Sequence, residues 1–316
     1  MTGAPGAARA TNGAVMNDER GLLRELRGML GDAGLAGAFL VRDLDTGEEI
    51  GIDPDVDYAA ASLAKVPLAV AVLTRVHDGD LDGGHAVDIV PGRMTSMGPT
   101  GLSRFRHPAR VAVDDLLYLS LAISDNGASD ALFDLVPPEE VTAVLRAAGI
   151  DGITLRHRMQ PLMETPTERF DPADVHLAHA LAIGAGTAGR GHPLPQLDVT
   201  RASAGSARAF TALLAELWRP SRIPAPVAAR VRELMGQNLI RNRLTPDFAS
   251  DGSTWSSKTG TLLNLRHEVG VVEHDDGGTY AVAALTESRV PASVQPAAEA
   301  LMARVARALH DHLRSG

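Results

Sequence analysis

The two lysines of the chain are the residues whose placement says most about chemistry. Of the 30 lysine and arginine residues, only Lys65 and Lys258 are lysines. Arginine serves wherever a permanent positive charge is enough, whereas a lysine removed from water can lose its proton and act as a base. By chance, two lysines would usually lie on the solvated surface. The residues that surround each lysine in the sequence decide whether it is a candidate base or an ordinary surface residue.

The first lysine belongs to the segment Ser62-Leu63-Ala64-Lys65. Positions three apart share one face of a helix, so the amine is expected beside the serine hydroxyl. A serine is a weak nucleophile until a neighbouring base takes its proton, and a desolvated lysine is such a base. Pro67 requires the helix to begin close to Ser62, because proline is tolerated in a first turn. Taken alone, the segment also fits a surface serine and lysine on any helix.

A second polar segment, Ser124-Asp125-Asn126, follows later in the chain. Its serine hydroxyl can relay a proton to a leaving group, and its asparagine amide can hold a substrate or the lysine. Ser, Asp and Asn are also the residues that favour helix N-caps and turns, so the segment alone fits a purely structural role.

The second lysine begins the segment Lys258-Thr259-Gly260-Thr261, which is strand-like. Glycine lets a substrate approach the strand backbone, and an ammonium with a hydroxyl can bind a carboxylate. The alternative is a lysine that protects an edge strand against aggregation.

Together and in this order, the three segments resemble those of class A β-lactamases and penicillin-binding proteins. The resemblance implies a catalytic group in which Ser62 is the nucleophile, Lys65 its proton acceptor and Ser124 a second proton carrier. It implies an oxyanion hole formed by the N–H groups of Ser62 and Thr261. Arg266 is either a further carboxylate anchor or a solvated strand arginine. The substrate-binding residues implied are Asn126, Lys258, Thr259, Gly260, Thr261 and Arg266.

The chain departs from this family in the loop after the second segment. Class A β-lactamases have a glutamate there that activates the water which frees the enzyme, and the corresponding residue here is Gln160. A glutamine amide can orient water but cannot accept its proton. Glu164 is the candidate replacement. The expected consequence is a site that is acylated but releases its product slowly.

The sequence therefore predicts a serine hydrolase that forms an acyl-enzyme on Ser62 with an amide, ester or β-lactam that carries a carboxylate. Esterase, amidase, acyltransferase and weak β-lactamase activities are all consistent with this acyl-enzyme chemistry. The alternative is a sensor of β-lactams or peptidoglycan fragments that is acylated stoichiometrically or only binds. A small acyl compound is the expected partner, and no cofactor or metal is expected. Asp171, Asp174, His176 and His179 are interpreted as a solvated helix face instead of a metal cluster.

The elements that must position these residues are strands at both ends of the chain with helices between them. Helices are predicted at 17–30, 62–76, 114–120, 126–135, 207–218, 227–239 and 294–313, and strands at 37–43, 48–52, 254–261, 267–274 and 279–286. We expect an α/β sandwich with an antiparallel sheet, flanking helices and an all-helical lobe. The expected organisation is a loose tail at 1–16, an α/β lobe from 17–59 and 220–316, a helical lobe at 60–219, and an extended loop at 184–205.

Bulk composition narrows the class of partner. The formal net charge of −9 argues against a nucleic-acid ligand, and no apolar run is long enough for a membrane span. Cysteine is absent from the sequence, which excludes thiol catalysis. No signal-peptide core is seen, so a cytoplasmic location is expected, and a monomer is the favoured state.

Overall fold

The computed structural model describes residues 7–91, 98–165, 171–184, 190–291 and 294–315. Its strands are β1 (Leu35–Asp43), β2 (Glu49–Ile52), β3 (Asp57–Ala59), β4 (Ala86–Ile89), β5 (Ala109–Ala112), β6 (Ile153–Thr154), β7 (Ala204–Ser206), β8 (Ser253–Leu262), β9 (Leu265–His274) and β10 (Thr279–Ser288). Its helices are α1 (Ala7–Asp32), α2 (Lys65–Asp78), α3 (Val113–Ala122), α4 (Asn126–Leu135), α5 (Pro138–Ala147), α6 (Gln160–Met163), α7 (Val175–Gly184), α8 (Ala207–Trp218), α9 (Ala225–Gly236), α10 (Thr245–Phe248) and α11 (Pro296–Ser315). Short 3₁₀ turns lie at Ala61–Ala64, Gly101–Arg104 and Pro172–Asp174.

The main sheet joins the two ends of the chain, as the sequence predicts. Its five strands run in the order β2-β1-β10-β9-β8, and each pair is antiparallel. β1 pairs with β10 from Leu35–Ser288 to Asp43–Tyr280. β8 is an edge strand of this sheet, and on one of its sides it has no strand partner among the described residues.

Helices cover both faces of this sheet, so its strands are apolar on both sides. α1 and α11 pack on one face, where Trp255, Val272 and Val282 join their core. α8 packs on β1 and β10 from the other face, where Val269 and Val271 join a second core. Side chains alternate between the faces with a period of two. The predicted sandwich is thereby confirmed.

The helical part is built around α2, which is buried from Lys65 to Leu73 and packs against α3, α4, α5 and α9. A helix that is apolar on every side belongs in the centre of a bundle. It ends at Gly79, whose φ of 81° is the left-handed conformation common after helix C-termini. The central position of α2 fixes the residues at its start.

A three-stranded sheet in the order β3-β7-β6 leads into α2. β3 pairs with β7 from Asp57–Ser206 to Ala59–Ala204. The chain then passes from Ala59 directly into the turn that holds Ser62. The small sheet therefore anchors the segment that precedes this serine.

Three expectations about the elements need correction. Residues 7–16 are helical in α1 instead of a loose tail, because alanine-rich sequence has high helix propensity and continues the helix predicted at 17–30. Residues 1–6 lie outside the described residues. The helix predicted from Ser62 begins as a 3₁₀ turn and becomes α-helical only at Lys65.

The third correction concerns α8, which falls within the range 60–219 of the predicted helical lobe but packs on β1 and β10. Its apolar residues, among them Phe210 and Leu214, join the core beneath the sheet. Of the predicted loop at 184–205, residue 184 ends α7 and 204–205 belong to β7. Among the described residues, no helix combines the length and apolar character needed to cross a bilayer.

Candidate active site

Ser62 lies at the junction between the small sheet and the central helix. It is the second residue of the Ala61–Ala64 turn and is partly exposed. Ala61 before it has a φ of 48°, in the left-handed region that residues other than glycine seldom adopt. Such backbone conformations persist where the surrounding structure enforces them, and they cluster at functional sites.

The amine of Lys65 is fully buried and has three hydrogen bonds. Its Nζ donates to Ser124 O at 2.7 Å, to Ser124 Oγ at 3.1 Å and to Asn126 Oδ1 at 2.7 Å. These acceptors match the three donors of an ammonium, and none of the hydrogen bonds goes to Ser62. Burial lowers the pKa of Lys65 to about 7, although Asp125 and Asp130 oppose the shift. Near neutral pH the amine is therefore close to half deprotonated, as a base must be.

Ser124 occupies the short link between α3 and α4 with a φ of 57°. A non-glycine residue in this conformation costs about 1–3 kcal/mol. The following Asp125 holds the link in place: its carboxylate caps α4 by accepting from Gly127 N and Ala128 N, and it also accepts from Leu102 N at 2.6 Å. The second segment thus contains the N-cap that its composition suggests, together with a hydroxyl that faces both lysines.

The second lysine approaches the same hydroxyl from the edge strand. Lys258 Nζ donates to Ser124 Oγ at 3.0 Å and to Thr259 O at 2.9 Å. Burial lowers the pKa of Lys258 well below its usual range, and the charges of Lys65 and Arg243 lower it further. An anionic ligand would counter both effects and favour the ammonium form.

Gly260 brings β8 against the turn that carries the serine. A Cβ at this position would lie 3.1 Å from Ala60 O, 3.2 Å from Leu63 Cγ and 3.3 Å from His267 Cβ. These distances are tighter than ordinary van der Waals contact, so a side chain at this position would require the strand or the turn to shift by a few tenths of an ångström. The contact sets the spacing between the backbone of Thr261 and that of Ser62.

Arg243 is a site residue that the sequence analysis missed. Its guanidinium donates to Gly260 O at 2.8 Å, to His267 O at 2.7 Å and to Thr261 Oγ1 at 2.6 Å. Its Nε also donates to Glu299 at 3.1 Å. Because Arg243 is one of many arginines and lies in no recognisable segment, only the tertiary structure reveals its position.

Arg266 and Thr259 are placed differently from the lysines. Arg266 is buried, with its Nη1 donating to Leu263 O at 2.6 Å and to Leu265 O at 2.7 Å. It is therefore not a solvated strand arginine. Thr259 is also buried, and strand alternation places its side chain on the face opposite that of Lys258. A carboxylate-binding role for either residue stays a prediction.

The loop with Gln160 and Glu164 is held by a buried carboxylate on α4. Asp130 accepts from Met159 N at 2.6 Å and from Gln160 N at 3.0 Å. Burial raises the pKa of Asp130 to about 6, against the effect of these two N–H groups. Gln160 Nε2 donates to Glu164 Oε1 at 3.2 Å, because the helical turn α6 places the two side chains together. Neither side chain has a hydrogen bond to Ser62 or Lys65 among the residues that the structure describes.

The histidine and aspartate residues between 171 and 179 form no metal site in the described parts of the chain. His176 is exposed and its Nδ1 contacts Ala173 O, whereas His179 is buried. The predicted solvated face is therefore wrong for His179, which packs inward with Ala178. His267 and Glu268, adjacent on β9, point to opposite faces of the sheet: His267 contacts Ala59 O, and Glu268 accepts from Leu244 N and Trp255 Nε1.

The site as a whole brings two titratable amines, one from the start of α2 and one from the edge strand, to the hydroxyl of Ser124 in the α3–α4 link. The amine of Lys65 can exchange a proton with Ser124, and Ser124 can exchange one with Lys258, because each pair is within hydrogen-bond distance. This arrangement is suited to proton transfer during attack by a serine on a carbonyl group.

Known proteins are similar to this chain over most of its length. The model of the β-lactamase enzyme family matches residues 22–313. A protein named β-lactamase regulatory protein BlaB, from Streptomyces cacaoi, is 62% identical over 311 residues, which cover 95% of this chain and 99% of that protein.

Solved structures share the fold at much lower identity. A β-lactamase from Sphaerobacter thermophilus is 20% identical, with a TM-score of 0.73 over 92% of this chain and 97% of its own. PBP-A is 16% identical, with a TM-score of 0.73 over 94% of this chain and 97% of its own. A PBP-A mutant with the same match was solved as an acyl-enzyme complex with penicillin G.

Proposed function

The chain belongs to the β-lactamase enzyme family, and we propose that Ser62 is acylated by β-lactams or related carboxylate-bearing acyl compounds and releases the acyl group slowly. The observation that carries this proposal is the convergence of Lys65 and Lys258 on Ser124 Oγ, with Lys65 three residues after Ser62 at the start of α2. No other part of the described structure combines a partly exposed serine with buried amines in this way.

In the proposed acylation, Lys65 in its neutral form takes the proton of Ser62 while Oγ attacks the carbonyl carbon. A bond forms between Oγ and that carbon, and the carbon–nitrogen bond of the ring breaks. The nitrogen receives its proton from Ser124, whose hydroxyl is then reprotonated by the amines bonded to it. The N–H groups of Ser62 and Thr261 are the proposed donors to the developing oxyanion. Lys258, protonated in the presence of the anion, holds the substrate carboxylate.

Slow release follows from the loop with Gln160. Hydrolysis of the acyl-enzyme requires a base that takes a proton from water, and the amide of Gln160 cannot do so. The acyl group would then remain on Ser62 long enough for the protein to act as a receptor of its ligand. The regulatory name of the Streptomyces cacaoi relative favours this sensor interpretation over a resistance enzyme.

One observation favours a second candidate, a hydrolase with modest turnover. Glu164 lies within hydrogen-bond distance of Gln160, so its carboxylate is next to the amide that would orient a water. In this alternative, Glu164 accepts the proton of that water and the acyl group is released repeatedly.

Mixing the protein with excess chromogenic cephalosporin separates the candidates. A receptor gives a burst of ring opening equal to the protein concentration, followed by almost no further reaction. A hydrolase continues at a steady rate after the burst. If neither a burst nor steady turnover occurs with any cephalosporin, penicillin or activated ester, the proposed acylation is wrong.

A further inference from the structure

A cavity of about 370 Å³ lies apart from the two lysines, at the end of the sheet where β1 begins and β10 ends. Its lining includes none of Ser62, Lys65, Ser124 or Lys258. Its walls come from β3, the end of α7, the loop at 190–203 and the turn between β8 and β9. The volume is within the range of small-molecule sites, about 300–1,000 Å³. Its apolar lining includes Ala36, Val56, Ala182, Leu197, Val199 and Leu265.

One residue in the wall of the cavity, Asn264, carries a buried polar atom that has no partner in the described part of the chain. Asn264 is 1% exposed, and its Nδ2 donates to Glu287 Oε1 at 3.3 Å and to Ser288 O at 3.1 Å. Its Oδ1 is buried and has no hydrogen-bond partner among the residues that the structure describes. An unsatisfied carbonyl of this kind is destabilising, and a ligand that donates a hydrogen bond would satisfy it.

The charges around the cavity favour a cation. Asp57 and Glu287 both line it, and in the described part of the chain neither forms an ion pair with an arginine or lysine. The one cationic side chain in the lining, Arg289, is exposed and also lacks an ion pair there. Tyr58 and His192 are the other polar residues of the lining. Burial together with Glu287 raises the pKa of the Tyr58 phenol, so that it stays neutral. Both ring nitrogens of His192 have backbone partners, Ala182 O and Leu194 N. An ammonium group is therefore favoured over a carboxylate.

We propose that this cavity is a second ligand site, separate from the serine site, and that it takes a compact apolar amine. The ammonium group lies near Glu287 and Asp57 and donates to Asn264 Oδ1, while the apolar body contacts Ala182, Leu197 and Val199. The proposal does not depend on acylation of Ser62, because none of the lining residues takes part in that chemistry.

The test uses 2-phenylethylamine, benzylamine and cyclohexylmethylamine as probes, with NMR titration of the ¹⁵N-labelled protein. We expect saturable binding of at least one amine in the millimolar range. The neutral 2-phenylethanol is expected to bind about tenfold more weakly, because it lacks the charge. Ser62→Ala should bind the amines like the wild type, which separates this site from the proposed acylation.

Two variants locate the site by different means. Val199→Trp fills the cavity, and Asn264→Leu removes the acceptor. Each is expected to weaken amine binding by about tenfold or more. Val294→Trp is the matched control, because Val294 is 78% exposed and outside the lining. Circular dichroism checks that each variant is folded. If Val199→Trp or Asn264→Leu fails to fold, the amine affinity of the other variant still tests the location of the site.

Three results would overturn the proposal. The first is that no amine binds the wild type saturably. The second is that amine affinity is unchanged in the folded Val199→Trp or Asn264→Leu protein. The third is that 2-phenylethanol binds as tightly as 2-phenylethylamine, which would show that the ammonium group does not contribute to binding.

Discussion

Lys65 and Lys258, which lie 193 positions apart in the chain, donate to the same oxygen, Ser124 Oγ, at 3.1 Å and 3.0 Å. Two ammonium groups that share one hydrogen-bond acceptor repel each other, and burial adds a further free-energy cost to each charge. At least one amine is therefore readily deprotonated in the free protein. One of the two amines, that of Lys65, belongs to the residue three positions after the candidate nucleophile Ser62, so a proton acceptor is available at the start of α2.

The rate of acylation should depend on pH through Lys65. Because burial lowers the pKa of this amine to about 7, the neutral form that acts as a base increases as pH rises from 6 to 8. We expect the second-order rate constant for reaction with penicillin G to rise over this interval, as measured by stopped-flow quenching. A pH-independent rate would contradict the role of Lys65 as base.

Lys65→Arg tests the same role without removing the charge. Arginine cannot be deprotonated at these pH values, so acylation should slow by about a hundredfold or more. The control is Arg110→Lys, a change on the exposed face of β5, which should leave the rate unchanged. Wild-type rates in Lys65→Arg would show that another group takes the serine proton.

Gly260→Ala should disturb the spacing of the oxyanion donors. The added methyl group would meet Ala60 O at 3.1 Å and push β8 away from the serine turn. Acylation should slow by about a hundredfold, because small displacements of reacting groups are costly. Gly252→Ala is the matched control, since a Cβ there has no atom within 4 Å. Equal acylation rates in the two variants would mean that the close approach of β8 is not needed.

Gln160→Glu should accelerate release of the acyl group. A carboxylate at this position supplies the base that the amide lacks, and we expect deacylation to quicken by at least about tenfold. Glu164→Gln in the wild-type background is the companion variant. If Glu164→Gln abolishes residual turnover while Gln160→Glu changes nothing, Glu164 is the base and the family correspondence of Gln160 is wrong.

His267 should make folding stability depend on pH. Burial lowers its pKa to about 3, so between pH 6.5 and 3 only the unfolded chain binds the proton. Stability from this residue is present above pH 6.5 and is lost by up to about 1.4 kcal/mol per unit as pH falls. Urea unfolding at pH 7, 6 and 5 should show a shallower pH dependence for His267→Gln than for the wild type. Parallel dependences would mean that His267 is protonated in the folded protein.

The sequence predicted the sheet and the main helices well, because their apolar periodicity is strong and their ends carry clear signals. The helix predicted at 207–218 coincides with α8. It also predicted the meeting of Lys65, Ser124 and Asn126, because the resemblance of the three segments to those of class A β-lactamases implies that they form one site. It did not predict the hydrogen bond from Leu102 N to the carboxylate of Asp125, because that contact joins segments 23 residues apart.

Other site features depend on tertiary structure alone. Arg243 contacts Gly260 and Thr261 through a loop with no sequence signal. Arg266 is withdrawn from the open edge by the carbonyls of Leu263 and Leu265, which the turn between β8 and β9 presents to it. The contact between Gln160 and Glu164 depends on the single turn of α6, too short for its periodicity to be read from sequence.

Acylation of Ser62 is tested most directly by intact-mass spectrometry of the wild type and Ser62→Ala after incubation with penicillin G, followed by peptide mapping. The account predicts one added penicillin per wild-type chain, located on the peptide with Ser62, persisting after free ligand is removed, and absent from Ser62→Ala. An unmodified wild-type protein that also leaves penicillin G intact, or an equal adduct on Ser62→Ala, would contradict it.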